Sequence, residues 1–104
     1  MRTLEFKVDA QVIQKDPRGD FANIVPGSRE YLRAHFTFSK EWDGCTKAAS
    51  FWNDGQEYAK LLTDDACMIP AAALTGSKFE VSVTGARAGG YCIPTGRTTV
   101  KQEG

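Results

Sequence analysis

At 104 residues the chain has room for one domain, spanning 1–104, and no second core. Thirteen basic residues balance thirteen acidic ones, which excludes the basic surplus that exchanges counterions on nucleic-acid phosphates and any general attraction to anionic lipid. Hydrophobic residues make up 41% and charged residues 25%, as in an ordinary globular domain, and no run approaches the roughly 20 apolar residues that span a bilayer.

The opening residues, MRTLEFKVDA, mix charged with apolar positions and contain no continuous hydrophobic run, so no secretory signal is expected and the chain is expected to fold in a reducing cytosol. Residues Thr3 to Gln14 predict one long first strand, with Leu4, Phe6, Val8, Ala10 and Val12 on one face and Glu5, Lys7, Asp9 and Gln11 on the other. Lys15 to Arg29 holds two prolines and two glycines and reads as a loop, tacked to the sheet by Phe21, Ile24 and Val25.

Tyr31 to Asn53 is the organising stretch. Leu32, Ala34, Phe36 and Phe38 alternate with Tyr31, Arg33, His35 and Thr37, which predicts a half-buried second strand. Ser39 to Gly44 supplies turn residues around Trp42, whose indole is too large and apolar to sit in water, so this bend is expected to be plugged by tryptophan. Thr46 to Asn53 predicts a third strand, with Ala49 and Phe51 on one side and Ala48, Ser50 and Trp52 on the other.

Asn53-Asp54-Gly55 predicts a tight hairpin returning as a fourth strand, Gln56 to Thr63. A short fifth strand, Ala66 to Ile69, ends at Pro70, and Ala71 to Leu74 predicts a single helical turn near residues 70–75 that crosses between sheets. Lys78 to Ala86 predicts a sixth strand with Phe79, Val81 and Val83 inward; Arg87 to Gly90 is a hairpin loop, and Tyr91 to Lys101 a last strand interrupted at Pro94-Thr95-Gly96. Seven extended runs with regular turn signals predict an all-β fold, an antiparallel immunoglobulin-like β-sandwich, with a small barrel as the alternative closure. Leu32, Phe36, Phe38, Trp42, Phe51, Phe79, Val81 and Val83 form the expected core.

Chemistry-bearing groups are sparse. Cys45, Cys67 and Cys92 are odd in number and form no CxxC, so they are expected to be reduced thiols filling core or near-core volume. His35, the single histidine, reads as a partly exposed strand residue beside Arg33, and Asp54, Asp64 and Asp65 read as turn residues. No catalytic residue, metal site or cofactor is expected. Arg33, His35, Trp52, Tyr58, Arg87 and Tyr91 are the candidate interaction surface, with Trp52, Tyr58 and Tyr91 as an outer aromatic patch suited to sugar rings or to a protein contact.

The run Leu32-Arg33-Ala34-His35-Phe36-Thr37-Phe38-Ser39-Lys40-Glu41-Trp42-Asp43-Gly44, followed by Thr46 to Phe51, Met68-Ile69-Pro70 and the Phe79 to Val83 strand before Tyr91, resembles a small immunoglobulin-like domain of phages and prophages of Gram-positive gut bacteria. In that family it often forms the N-terminal part of a baseplate or tail-fibre protein. Cys45 departs from the family pattern, where an aliphatic residue is expected. The resemblance implies no catalytic residues. It implies a virion structural protein of tail, baseplate or capsid, made in the host bacterial cytoplasm, docking on other phage structural proteins or on itself as a homo-oligomer. Two other readings stand beside it: a small phage inhibitor that binds a host defence protein or a signalling nucleotide through Arg33, Arg87 and Arg97, and a carbohydrate-binding module using Trp52 and Tyr58.

Overall fold

The computed structural model describes residues 1–103. Nine strands form two sheets: β1 (Arg2–Asp9), β2 (Val12–Lys15), β3 (Leu32–Phe38), β4 (Thr46–Asn53), β5 (Gln56–Leu61), β6 (Ala66–Met68), β7 (Lys78–Arg87), β8 (Tyr91–Pro94) and β9 (Thr98–Lys101). The four-stranded sheet has the order β2-β1-β3-β6; the other runs β5-β4-β7-β8, with β9 also on β7. Single 3-10 turns occupy Lys40–Trp42 and Ala71–Leu74, the second crossing between the sheets as its alanine run and preceding proline predict. The all-β expectation is met. Among the described residues no helix is long and apolar enough to cross a membrane.

The inner faces of both sheets supply one continuous core. Leu4, Phe6, Val8, Leu32, Ala34 and Phe36 come from the first sheet and Ala49, Phe51, Phe79, Val81, Val83 and Val100 from the second, with Trp42, Ile69 and Leu74 between them. Phe38, expected in the core, lies at its rim instead: it is half-buried, with the Lys47 ammonium 4.8 Å from its ring centroid.

The first strand is not continuous to Gln14. Ala10 takes φ +52° and the chain reverses at Ala10-Gln11, so β1 pairs with β2, Val8 opposite Ile13 and Asp9 opposite Val12. The reversal exchanges the two faces, burying Ile13 and leaving Val12 61% exposed, the opposite of the strict alternation. Simple alternation cannot register this turn, because its residues are neither Gly nor Asn. Its stabilising contacts come from far along the chain: Ser39 Oγ accepts a hydrogen bond from the Ala10 amide at 2.9 Å, and Trp42 Nε1 donates to the Ala10 carbonyl at 2.9 Å.

The first sheet is also not purely antiparallel. β1 and β3 are parallel, with Phe6 opposite Phe36 and Glu5 opposite His35. A parallel pair needs a crossover rather than a tight hairpin, and the stretch from Asp16 to Tyr31 provides it. Ile24 buries itself fully, Phe21 stands edge-on to Phe6 at 5.4 Å, and the Arg2 guanidinium donates to the carbonyls of Asp20, Ala22 and Asn23. Val25, expected as a third anchor, is 60% exposed.

In the second sheet the expected hairpin at Asp54-Gly55 forms, both residues at positive φ. The break at Pro94-Thr95-Gly96 divides the last strand as expected. β8 pairs with Thr84–Arg87 and β9 with Lys78–Val81. Thr95 bridges the gap, its Oγ1 accepting from the Val83 amide at 3.0 Å and its own amide donating to the Val83 carbonyl.

Candidate functional site

The bend at Ser39–Gly44 carries the most connected cluster of side chains. Trp42 is fully buried, its ring 5.0 Å from that of Phe38. Besides its bond to Ala10 it meets the second sheet at Gly85, where a Cβ would stand 2.8 Å from Trp42 Cε3. Two expected surface residues turn out to fasten this bend. Arg87 Nη1 donates to the Asp43 carbonyl at 2.8 Å, Tyr91 Oη donates to the Glu41 carbonyl at 2.8 Å, and the Arg87 guanidinium stacks 3.8 Å from the Tyr91 ring centroid. Both positions share the inward parity of Val83 and Ile93 but lie beyond the end of the core, where they close over the bend. Glu41 is held below the usual carboxylate range by hydrogen bonds from its own amide and from the Ser39 hydroxyl.

Tyr58 is likewise corrected. It stands opposite Phe51, on the inner face, and packs against the core, while Trp52 stands opposite Glu57 on the outer face. The expected aromatic patch of Trp52, Tyr58 and Tyr91 therefore does not assemble: the three occupy the outer face, the inner face and the Trp42 bend. Arg33 and His35 do project from the outer face of the four-stranded sheet, and His35 Nδ1 lies 2.7 Å from Glu5 Oε1, both groups partly exposed. Arg33, Arg87 and Arg97 lie in three separate places, which removes the convergence that the nucleotide reading needs.

Trp52 anchors a feature the sequence left unseen. Its Nε1 donates to Ser82 Oγ at 3.1 Å, and the Arg97 guanidinium stacks on it at 3.6 Å from the ring centroid while pairing with Glu80 at 3.3 Å. Asn53 Nδ2 donates to the Ala72 carbonyl and to Thr75 Oγ1, which ties the end of β4 to the second 3-10 turn. Between these walls lies a cleft of about 390 Å³ lined by Trp52, Asn53, Asp54, Ser77, Lys78 and Glu80 among others. Arg97 was legible only as a loose cation, because stacking on Trp52 requires the β7–β9 pairing that brings the chain back to that face.

Among the described residues no group of three His, Cys, Asp or Glu side chains is placed to hold a metal ion. The cysteines are free, and Cys92 is exposed rather than in or near the core, because its outward parity on β8 sets it opposite Ala86. Burial pushes the Cys67 thiol up to about 11, with Lys60 pulling weakly the other way. At pH 8 roughly one Cys67 thiol in a thousand is then ionised, so iodoacetamide followed by mass spectrometry is expected to label Cys92 long before Cys67. The folded value is raised, so the stability it contributes is complete below roughly pH 8.5 and is lost as pH climbs towards about 11.

No family model, curated protein or solved structure matches this chain.

Proposed function

We propose that this protein is a non-enzymatic structural component of a phage particle, in the tail, baseplate or capsid, that docks on neighbouring copies of itself and on other phage structural proteins. The observation that supports docking best is β5. It forms one edge of the five-stranded sheet, five of its six residues are exposed, and Leu61 at its end is 71% exposed. Neither proline nor glycine interrupts it, so it offers a row of backbone groups to an incoming strand. Glu57 and Lys60 on the same edge restrict that pairing to strands with matching charge.

Beside this edge the outer sheet face carries small side chains, Ala48, Ser50 and Ala59, which let a neighbouring subunit approach closely. Phage origin is supported by the resemblance in the run from Phe36 to Gly44. A symmetric particle supplies many copies of each subunit, so a closed homo-oligomer is the expected partner state.

Size-exclusion chromatography with light scattering at micromolar concentration is expected to find a dimer or larger species, and Leu61→Lys to weaken it at least about tenfold without lowering Tm. A strict monomer that is also missing from purified virions contradicts the proposal.

A further inference from the structure

We infer that the cleft beside Trp52 is a binding site for a pyranose ring of a neutral, hydroxyl-rich carbohydrate. At about 390 Å³ it falls at the small end of the range for ligand sites, near that of one or two sugar rings. Three features of its walls select this chemistry over others.

The first is a fixed aromatic surface. Trp52 is held by its bond to Ser82 Oγ and by the Arg97 stack, so no rotamer freedom is lost when a ligand lands on it. The C–H face of a pyranose carries slight positive charge and suits the negative face of an indole. Arg97 stacks on one face of that indole, and Trp52 also lines the cleft.

The second is the supply of both acceptors and donors close to that surface. Asp54 provides a carboxylate, Lys78 an ammonium and Ser77 a hydroxyl, all on exposed residues at the rim. Adjacent sugar hydroxyls each donate and accept, and bonds to charged partners are the stronger kind.

The third is the balance of charge. Glu80 is paired with Arg97, and the lining carries the carboxylate of Asp54 as well as the ammonium of Lys78, so the cleft lacks the cationic excess that a phosphate or nucleotide needs. The backbone that frames it is also set in place. Asp54 at φ +51° forms the hairpin tip on one side, and the Asn53 side chain clamps the second 3-10 turn at the other. The cleft lies at the Trp52 end of β4, away from Leu61, which pairs with Ala48 at the opposite end. Leu61→Lys therefore tests docking without altering the cleft, and Asp54→Asn tests sugar binding without altering Leu61.

A glycan array followed by an amide NMR titration with the pyranosides that register tests the inference. Millimolar or tighter binding is expected, with shifts at the Asn53, Ser77 and Lys78 amides and the Trp52 indole N–H. Trp52→Ala and Asp54→Asn are each expected to weaken binding at least about tenfold; the second keeps a residue that tolerates positive φ, so it decides the matter if the first fails to fold. Shifts confined to another surface, unchanged affinity in Asp54→Asn, or no pyranoside bound at about 10 mM would each overturn it.

Discussion

Trp42→Ala is expected to destabilise the protein by about 3–5 kcal/mol, the usual cost of emptying a fully buried aromatic site. Trp42 is 0% exposed and is the largest of the fully buried side chains. The loss has three physical parts. The indole volume disappears from between the sheets. The Ala10 carbonyl loses its donor, which loosens a hairpin turn already held at an unfavourable φ of +52°. The Phe38 ring loses its neighbour at 5.0 Å. With roughly 4–8 °C of Tm per kcal/mol for a domain near this size, circular dichroism melting is expected to show a fall of roughly 12–40 °C. Trp42→Phe, which keeps part of the volume but not the hydrogen bond, is expected to cost about 1–3 kcal/mol. A Trp42→Ala protein melting within a few degrees of the parent would show that the bend is filled by something else.

Gly85→Ala is the complementary case, destabilising by excess rather than by loss. The added Cβ would stand 2.8 Å from Trp42 Cε3, 2.9 Å from Cζ3 and 3.2 Å from the Cys45 Cβ, where carbon atoms normally rest at about 3.5–4.0 Å. The indole cannot step back, because its other side is bonded to Ala10 and packed on Phe38. Overpacking of this kind costs about 1–3 kcal/mol for one methyl, and Gly85→Val more. The two predictions are coupled. In a Trp42→Phe background the smaller ring leaves room, so the cost of Gly85→Ala should shrink by at least about 0.5 kcal/mol, a measurable departure from additivity for residues in contact. Urea unfolding of the four proteins of this cycle reads the coupling directly, and strictly additive costs would mean that Gly85 and Trp42 do not meet.

These two residues also mark where the sequence was legible and where it was not. Trp42 announced itself, since an indole among Ser, Asp and Gly has nowhere to go but into a core. Gly85 did not: it read as one more position near the end of the sixth strand, and its need for a missing Cβ arises from a ring 43 positions earlier in the chain. Strands β3, β4 and β7 were legible because period-two burial is a local property. The parallel β1–β3 pair was not, because strand direction depends on where the Asp16–Tyr31 crossover delivers the chain. The same logic separates the candidate surface residues. Trp52 was correctly placed outward by alternation along β4, whereas the inward face of Tyr58 follows from the two-residue hairpin, which sets it opposite Phe51. Arg87 and Tyr91 resemble surface groups in sequence because the carbonyls they bind belong to Asp43 and Glu41, more than forty residues away.

The Ser39–Gly44 bend is thus a clasp between layers. Ser39 and Trp42 bond the β1–β2 turn of the first sheet, while Arg87 and Tyr91 reach across from the second to hold Asp43 and Glu41. A chain clasped this way has to open as one unit, with neither sheet surviving the other. Native-state amide hydrogen exchange tests this most directly. The slowest amides of β1 and β3 are expected to exchange with the same free energy as those of β4 and β7, equal to that of global unfolding. Protection persisting in β4 and β7 after β1 and β3 have exchanged would contradict the account.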